Sequence, residues 1–357
     1  MTVSHIPLRS GRVIGAGHPC FIVAEAGNNH QGQLDIAIAM VEEAARAGAD
    51  AIKFQKRDNA ALLTADGLAA PYTGPNSFGP TYGQHRDALE LSVVDMRTLK
   101  ARTEALGLVF FTSAWDRNSL EAMYSLSPEL LKICSADLVN VPYLRRCGQM
   151  GIPAVLSTGM STYAQIDRAV AELRQYHEHI VLLHCNASYP CPDEEVSLPV
   201  MNALSARYKL PTGYSGHERG LGPSLAAVAL GAVMVERHFT LDKTLRGTDH
   251  QVSLEPSELA QLVRMAREIE RAVSHTEKSV FPGETQAAAK LRKSVVAART
   301  LSAGTVLSEA DITVKSPGTG LSPEHWDAII GNTITCALTA DSQITAEMLS
   351  TPLASAP

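Results

Sequence analysis

The chain has 357 residues, 45% of them hydrophobic and 19% charged, with a formal net charge of −6. That length accommodates one large domain and a small one. The acidic balance, with no polybasic run, gives no support to nucleic-acid or anionic-membrane binding. No apolar run approaches the roughly 20 residues that span a bilayer, and Met1–Gly17 lacks the apolar centre of a signal peptide. The six cysteines, Cys20, Cys134, Cys147, Cys185, Cys191 and Cys336, form no CxxC. The expectation is a reduced, cytoplasmic protein without a structural zinc.

In chain order, apolar runs at Phe21–Ala26, Ala51–Gln55, Val109–Ser113, Leu130–Ser135, Ala154–Thr158, Ile180–Cys185, Thr212–Ser215 and Val233–His238 predict buried strands. Amphipathic stretches between them predict helices, among them Leu34–Ala47, Val93–Leu106, Tyr163–Gln175 and Ser257–Val273. Asp116 and Ser161 or Thr162 are placed to cap helix starts, and Gly48 and Gly107 to close helix ends. The β/α units span about 260 residues, the usual size of a TIM (β/α)8 barrel. A doubly wound sheet is the alternative, but no GxGxxG opens a helix. The segment Thr64–Arg86, rich in Gly, Pro and Tyr, predicts a long functional loop after the second strand.

From Phe281 the pattern changes to short strands at Ser294–Ala298 and Ile312–Val314, a Pro/Gly-rich loop at Ser316–Pro323 and a small helix at Pro323–Ile330. The chain therefore divides into a barrel over 1–280, a linker over 281–293 and a module over 294–357. A module of about 60 residues has a small core and is expected to gain stability by docking.

Polar residues at the carboxyl ends of barrel strands converge on one mouth. Glu25 ends the first run, Lys53 and Gln55 the second, Thr112 the third, and Lys132 and Ser135 the fourth, with Asp137 just beyond. Ser157 ends the fifth, Asn186 and Tyr189 follow the sixth, Ser215 and His217 close the seventh, and Glu236 and His238 the eighth, with Asp249 in the next loop. His217 and His238 are metal ligands by type, and a two-imidazole site leaves positions for water and substrate. Lys53 and Lys132, each flanked by apolar residues, suit phosphate and carboxylate, and an unpaired buried ammonium implies an anion nearby. Thr112, Ser135, Ser157, Asn186 and Ser215 are neutral groups that complete such a cradle. Glu25, Gln55, Tyr189 and Asp249 are left to meet a polyhydroxy partner and move protons. Plainer readings stand beside these: a satisfied core histidine, a snorkelling surface lysine, and a simple turn at Asn186–Pro190. His30, His184 and His250 are read as structural or supporting residues.

Together these residues resemble a known family. Ala24-Glu25-Ala26-Gly27-Asn28-Asn29-His30-Gln31-Gly32, Lys53-Phe54-Gln55, Phe111-Thr112-Ser113, Lys132-Ile133-Cys134-Ser135-Ala136-Asp137 and Ser157-Thr158-Gly159-Met160-Ser161 look like signatures of the sialic acid synthases. So do His184-Cys185-Asn186, Tyr214-Ser215-Gly216-His217, Glu236-Arg237-His238-Phe239-Thr240 and Asp249-His250, and the C-terminal module looks like that family's antifreeze-like (SAF) domain. The resemblance covers essentially the whole chain.

It implies a TIM barrel followed by an SAF domain in a domain-swapped homodimer. It also implies condensation of phosphoenolpyruvate (PEP) with an open-chain sugar aldehyde, often N-acetylmannosamine, to a nine-carbon 2-keto-3-deoxy acid. The implied cofactor is a divalent metal, commonly Mn²⁺, with Mg²⁺ or Co²⁺ as alternatives, on His217 and His238. Lys53, Thr112, Lys132, Ser135, Ser157, Asn186 and Ser215 would hold PEP. Glu25, Gln55, Tyr189 and Asp249 would meet the sugar or the attacking water, and Arg86 could compensate for a lost acceptor contact. Two departures fall where the acceptor is recognised: Ser316 replaces an Arg carried by many bacterial members, and Asp137 a Glu. The rival readings are a synthase of the same chemistry for a non-acetylated, diamino or shorter sugar, and a catalytically silent sugar-binding paralogue.

Overall fold

The computed structural model describes residues 4–353. Its first element is a hairpin that the strand analysis missed: β1 (His5–Pro7) pairs antiparallel with β2 (Val13–Gly15), placing Ile6 opposite Ile14. Three-residue strands are too short to carry a periodic signal. Both isoleucines are fully buried and cluster with Phe21, Val23, Phe111, Val155 and Val181. These come from the amino halves of the barrel strands, so the hairpin stoppers the barrel floor.

The barrel strands are β3 (Phe21–Gly27), β4 (Ala51–Lys56), β5 (Val109–Ala114), β6 (Leu131–Ile133), β7 (Ala154–Ser157), β8 (Ile180–Cys185), β9 (Thr212–Gly216) and β10 (Met234–His238). They pair in parallel, and β10 closes on β3 to complete the ring. Helices cover the outside because each buries an apolar stripe. Leu34–Arg46, for example, buries Ala37, Met40, Val41 and Ala44. Asp116 caps its helix by accepting from Ser119 N at 2.8 Å. Thr162, rather than Ser161, opens Tyr163–Arg174. Gly48 and Gly107 end their helices at φ of 82° and 77°, where a side chain would be strained.

Two local expectations are corrected. The fourth barrel strand stops at Ile133, because the chain bends at Cys134 into a 3₁₀ turn, Ser135–Asp137, with Asp137 N donating to Cys134 O at 3.0 Å. The segment after β4 is not an irregular loop. It holds the short helices Asn59–Leu62, Ala65–Ala69 and Tyr82–Ala88, capped by Asp58, Thr64 and Thr81. Its middle is gathered on His85, which stacks on Tyr72 at 4.2 Å between ring centroids and accepts from Phe78 N.

Backbone contacts divide the chain into Met1–Ser274 and His275–Pro357, a few residues before the expected end of the barrel. In the second unit β11 (Ser294–Ala297) pairs antiparallel with β12 (Ile312–Lys315) over a core of Val295, Leu301, Leu307, Ile329, Ile334 and Ile344. Ser316 is tied within this unit, accepting from Lys293 Nζ at 3.0 Å and donating to Leu291 O at 3.2 Å. Among the described residues no helix is long and apolar enough to cross a membrane.

Candidate active site

Strand register assembles the mouth. His238 lies level with Glu25, Glu25 with Lys53, and Glu236 with Ser215. Side chains alternate along a strand, so Lys53 and Gln55 share one face, as do Glu236 and His238. The same rule corrects one candidate. Ser113 lies level with Gln55 and Lys132 on the inward face, whereas Thr112 lies level with the outward apolar residues Phe54 and Leu131. A one-residue step exchanges faces.

At the centre, Lys53 Nζ stands 2.7 Å from Glu25 Oε2 and 3.7 Å from Glu236 Oε1, and Lys132 Nζ stands 2.9 Å from both Glu236 oxygens. Glu25 is 1% exposed, both lysines 2% and Glu236 6%. Burial opposes every one of these charges. Even so, the Glu236 and Glu25 carboxylates outweigh burial and raise the Lys53 pKa. Against the same burial, Lys132 and Lys53 hold the Glu236 carboxyl well below its usual range. The anions nearest the lysines are therefore the protein's own carboxylates, Glu25 and Glu236. Glu236 was visible at its strand end, but its partners lie far off in sequence and only barrel closure brings them together.

Around this quartet, Ser215 Oγ lies 3.4 Å from Glu236 Oε1, Ser157 is buried at the end of β7, and Ser135 Oγ accepts from Gly159 N at 3.0 Å. Gln55 Nε2 donates to Glu25 Oε1 at 2.7 Å. The His217 and His238 rings lie 5.4 Å apart, with Tyr189 over His217 at 3.9 Å and edge-on to His238 at 5.6 Å. His217 Nδ1 bonds the Asn186 carbonyl at 2.6 Å, which leaves Nε2 free. Burial, and then the neighbouring His238, lowers the His217 pKa to about 3, so this imidazole is neutral. His238 Nδ1 is buried without a hydrogen-bond partner, 3.8 Å from Asp249 Oδ2. Gly27, at φ 54°, keeps that space open, since a Cβ there would come within 3.3 Å of His238 Nδ1 and 3.4 Å of Asp249 Oδ2. Behind the histidines, fully buried Arg237 donates to the Glu218 carboxylate at 2.8 Å and to the Glu218 carbonyl at 2.7 Å, clamping the ends of β9 and β10 together.

A neutral His217 imidazole, beside a His238 ring whose Nδ1 is unshared and faces a carboxylate, suits a divalent transition cation. Among the described residues no three His, Cys, Asp or Glu side chains form a cage. A cation held on His217 and His238 would take its other ligands from water and substrate.

Other candidates have no side-chain bond to the quartet among the described residues. Asp137 is buried and bonded to Asn140 Nδ2, in a recess with Trp115 and Tyr143. The Asn186 amide is turned into its own loop, toward Glu195 O and Ser188 N. Arg86 folds onto Tyr82, and Ser316 belongs to the second unit. His184 donates its bonding capacity to Val196 O and His250 to Thr240, in keeping with structural roles.

A closed barrel with charged and imidazole side chains gathered at its carboxyl-end mouth, and an apolar floor beneath, defines a barrel enzyme. Residues 40–278 match the NeuB family and residues 292–350 the SAF domain, and the chain belongs to the NeuB family. It is 39% identical over 346 residues to the N-acetylneuraminate-9-phosphate synthase of Homo sapiens, covering 96% of each chain. It is 35% identical over 336 residues to the N,N'-diacetyllegionaminic acid synthase of Legionella pneumophila, covering 92% of this chain and 94% of the relative. The crystal structure of an N-acetylneuraminic acid synthetase from Leptospira borgpetersenii superposes with a TM-score of 0.69 at 33% identity, over 79% of this chain and 94% of the other.

Proposed function

We propose that the chain joins PEP to the aldehyde of an N-acetylmannosamine-type sugar, giving a nine-carbon 2-keto-3-deoxy acid and phosphate. Condensation of PEP with a sugar to a nonulosonic acid follows from membership of the NeuB family. The sugar differs among relatives, so the acceptor is the proposed part. What carries the reading is the lysine pair lying beside two imidazoles in one mouth.

In this reading Lys53 and Lys132, with Ser113, Ser135, Ser157 and Ser215, hold PEP, and Asn186 joins them by turning its amide out of its own loop. C3 of PEP attacks the aldehyde carbon, and the π electrons leave a cationic centre at C2. Glu25 takes a proton from the water that adds there. The proton on Glu25 passes to the alkoxide left on the former aldehyde oxygen. The tetrahedral centre then expels phosphate and gives it the remaining hydroxyl proton as C2 becomes the 2-keto group, while the lysines balance charge on the departing anion. His217 and His238, with Asp249 close by, would hold a divalent cation, Mn²⁺ or alternatively Mg²⁺ or Co²⁺, which when bound polarises the aldehyde oxygen. Tyr189 and Gln55 orient the sugar chain. The assembly is a homodimer in which the SAF module of one subunit covers the other's mouth, and the six free cysteines fit a reducing, cytoplasmic setting.

A second reading of the acceptor, a sugar phosphate, is favoured by two cations. Arg86 and Arg246 lie over the rings of Tyr82 and Phe78, and neither forms an ion pair among the described residues. The human relative is named for a 9-phosphate product. Phosphate release from PEP with a panel of aldehydes tests all of this: N-acetylmannosamine, its 6-phosphate, mannose and a shorter aldose. Release with none of them overturns the proposed condensation.

A further inference from the structure

Beyond the residues assigned above, the residue just past the end of β4 carries a side chain with one bond that leads to the centre. Arg57 follows Lys53 and Gln55 at the same two-residue spacing and is 4% exposed. Its Nη2 donates to Gln55 Oε1, and its Nη1 donates to Asn28 Oδ1 at 2.8 Å and to Glu90 Oε1 at 3.2 Å. Its guanidinium carbon lies 4.7 Å from the centre of the Trp115 ring. Glu90 also accepts from Arg57 N at 3.0 Å and from Lys56 Nζ at 2.9 Å. The group is held from both sides, by loops after β3 and after β4, and by an aromatic face.

A guanidinium only donates. The Gln55 oxygen must therefore face Arg57, which turns the Gln55 NH₂ toward Glu25, where Nε2 lies 2.7 Å from Oε1. Lys53 holds the other Glu25 oxygen at 2.7 Å. Without Arg57 the Gln55 oxygen loses its anchor, and the side chain is free to swing away from Glu25 and take its N–H with it. We propose that Arg57 is a positioning residue that acts through Gln55 to aim the Glu25 carboxylate. The inference rests on the reading of Glu25 as the group that takes the proton from water. Misplacement of such a group is read in turnover rather than in PEP binding.

The test uses the full-length enzyme with PEP and its best acceptor, and compares Arg57→Met, Arg57→Lys, Gln55→Met, the Arg57→Met/Gln55→Met double variant and Glu25→Gln. Arg57→Met should lower kcat about 30- to 100-fold with the PEP KM changed less than about threefold. Arg57→Lys, which keeps one donor toward Gln55, should recover about tenfold of that loss. In the Gln55→Met background, Arg57→Met should cost less than about threefold more, because a group acting through Gln55 has nothing left to act on. Native kcat in folded Arg57→Met, or equal losses in both backgrounds, overturns the inference. If Arg57→Met does not fold, Arg57→Lys decides: native kcat, or a loss confined to the PEP KM, overturns it. A dead Glu25→Gln beside an unimpaired Arg57→Met sinks the positioning role alone. A fully active Glu25→Gln sinks the role of Glu25, and the inference with it.

Discussion

Glu236 accepts from the Lys132 ammonium with both carboxylate oxygens, each 2.9 Å from Nζ, and the pair is almost wholly buried. Removing one member of such a pair strands the other charge. Glu236→Ala should destabilise the fold by about 3–5 kcal/mol, read from urea unfolding. A loss under about 1 kcal/mol would mean that the lysine finds water or another partner.

Lys53 keeps Glu25 when Glu236 is lost, whereas Lys132 pairs with no second carboxylate among the described residues. Lys132→Ala should therefore weaken PEP use, with kcat/KM for PEP falling by roughly 10²-fold or more, and Lys53→Ala should do likewise. Unchanged PEP kinetics in either variant would put the anion elsewhere.

His238 Nδ1 has no protein hydrogen bond to lose. His238→Ala should keep the native melting temperature within a few degrees yet lower Mn²⁺ affinity in calorimetric titration, and its kcat should fall roughly 10²-fold or more. Chelator-treated native enzyme should regain activity on adding Mn²⁺. Native Mn²⁺ binding by His238→Ala would overturn the ligand assignment.

Ser316 is too short to make the contact of an Arg at that place, so selection for the N-acyl group should be weak. A charge-assisted hydrogen bond contributes about 1.5–3 kcal/mol. Ser316→Arg should therefore raise the preference for N-acetylmannosamine over mannose about tenfold or more. A native enzyme that already discriminates by several orders of magnitude, and is unmoved by Ser316→Arg, would place acyl recognition elsewhere.

In the second unit, Asp311 accepts from Ser308 N at 2.9 Å and Ser308 Oγ at 2.6 Å, and pairs with Arg299. The Ser308 hydrogen bonds, helped by Arg299, lower its pKa below the usual 3.8. A depressed folded pKa contributes stability above the unfolded value, and that stability is lost as pH falls below it. Asp311→Asn should cost about 1 kcal/mol at pH 7, and the gap to the native protein should narrow below pH 3.8. A gap that is constant with pH would contradict the assignment.

The barrel was legible because each strand is a short run of buried branched residues followed by a helix with a cap or glycine stop. Candidate residues at strand ends stood out where a residue type was unusual for its place, as with Lys53, Lys132, His217 and His238. What sequence could not convey was facing and closure. Thr112 and Ser113 are both polar and adjacent, and only register tells which points inward. Glu236 meets Lys132 because β10 returns to β3, a contact spanning 104 residues of chain. Arg57 continues the spacing of Lys53 and Gln55, a pattern that could have been followed one step further.

The hairpin beneath the barrel gives this vessel a single doorway. With Ile6 and Ile14 sealing the floor among the described residues, a ligand bound for Lys53 and Lys132 is expected to enter by the mouth where His217, His238 and Tyr189 stand. A ligand seated on the lysines has to arrive before one that spans the imidazoles, and a long product has to withdraw before the next cycle begins. For the proposed site, such a cul-de-sac predicts ordered turnover, with excess sugar acting as a cork.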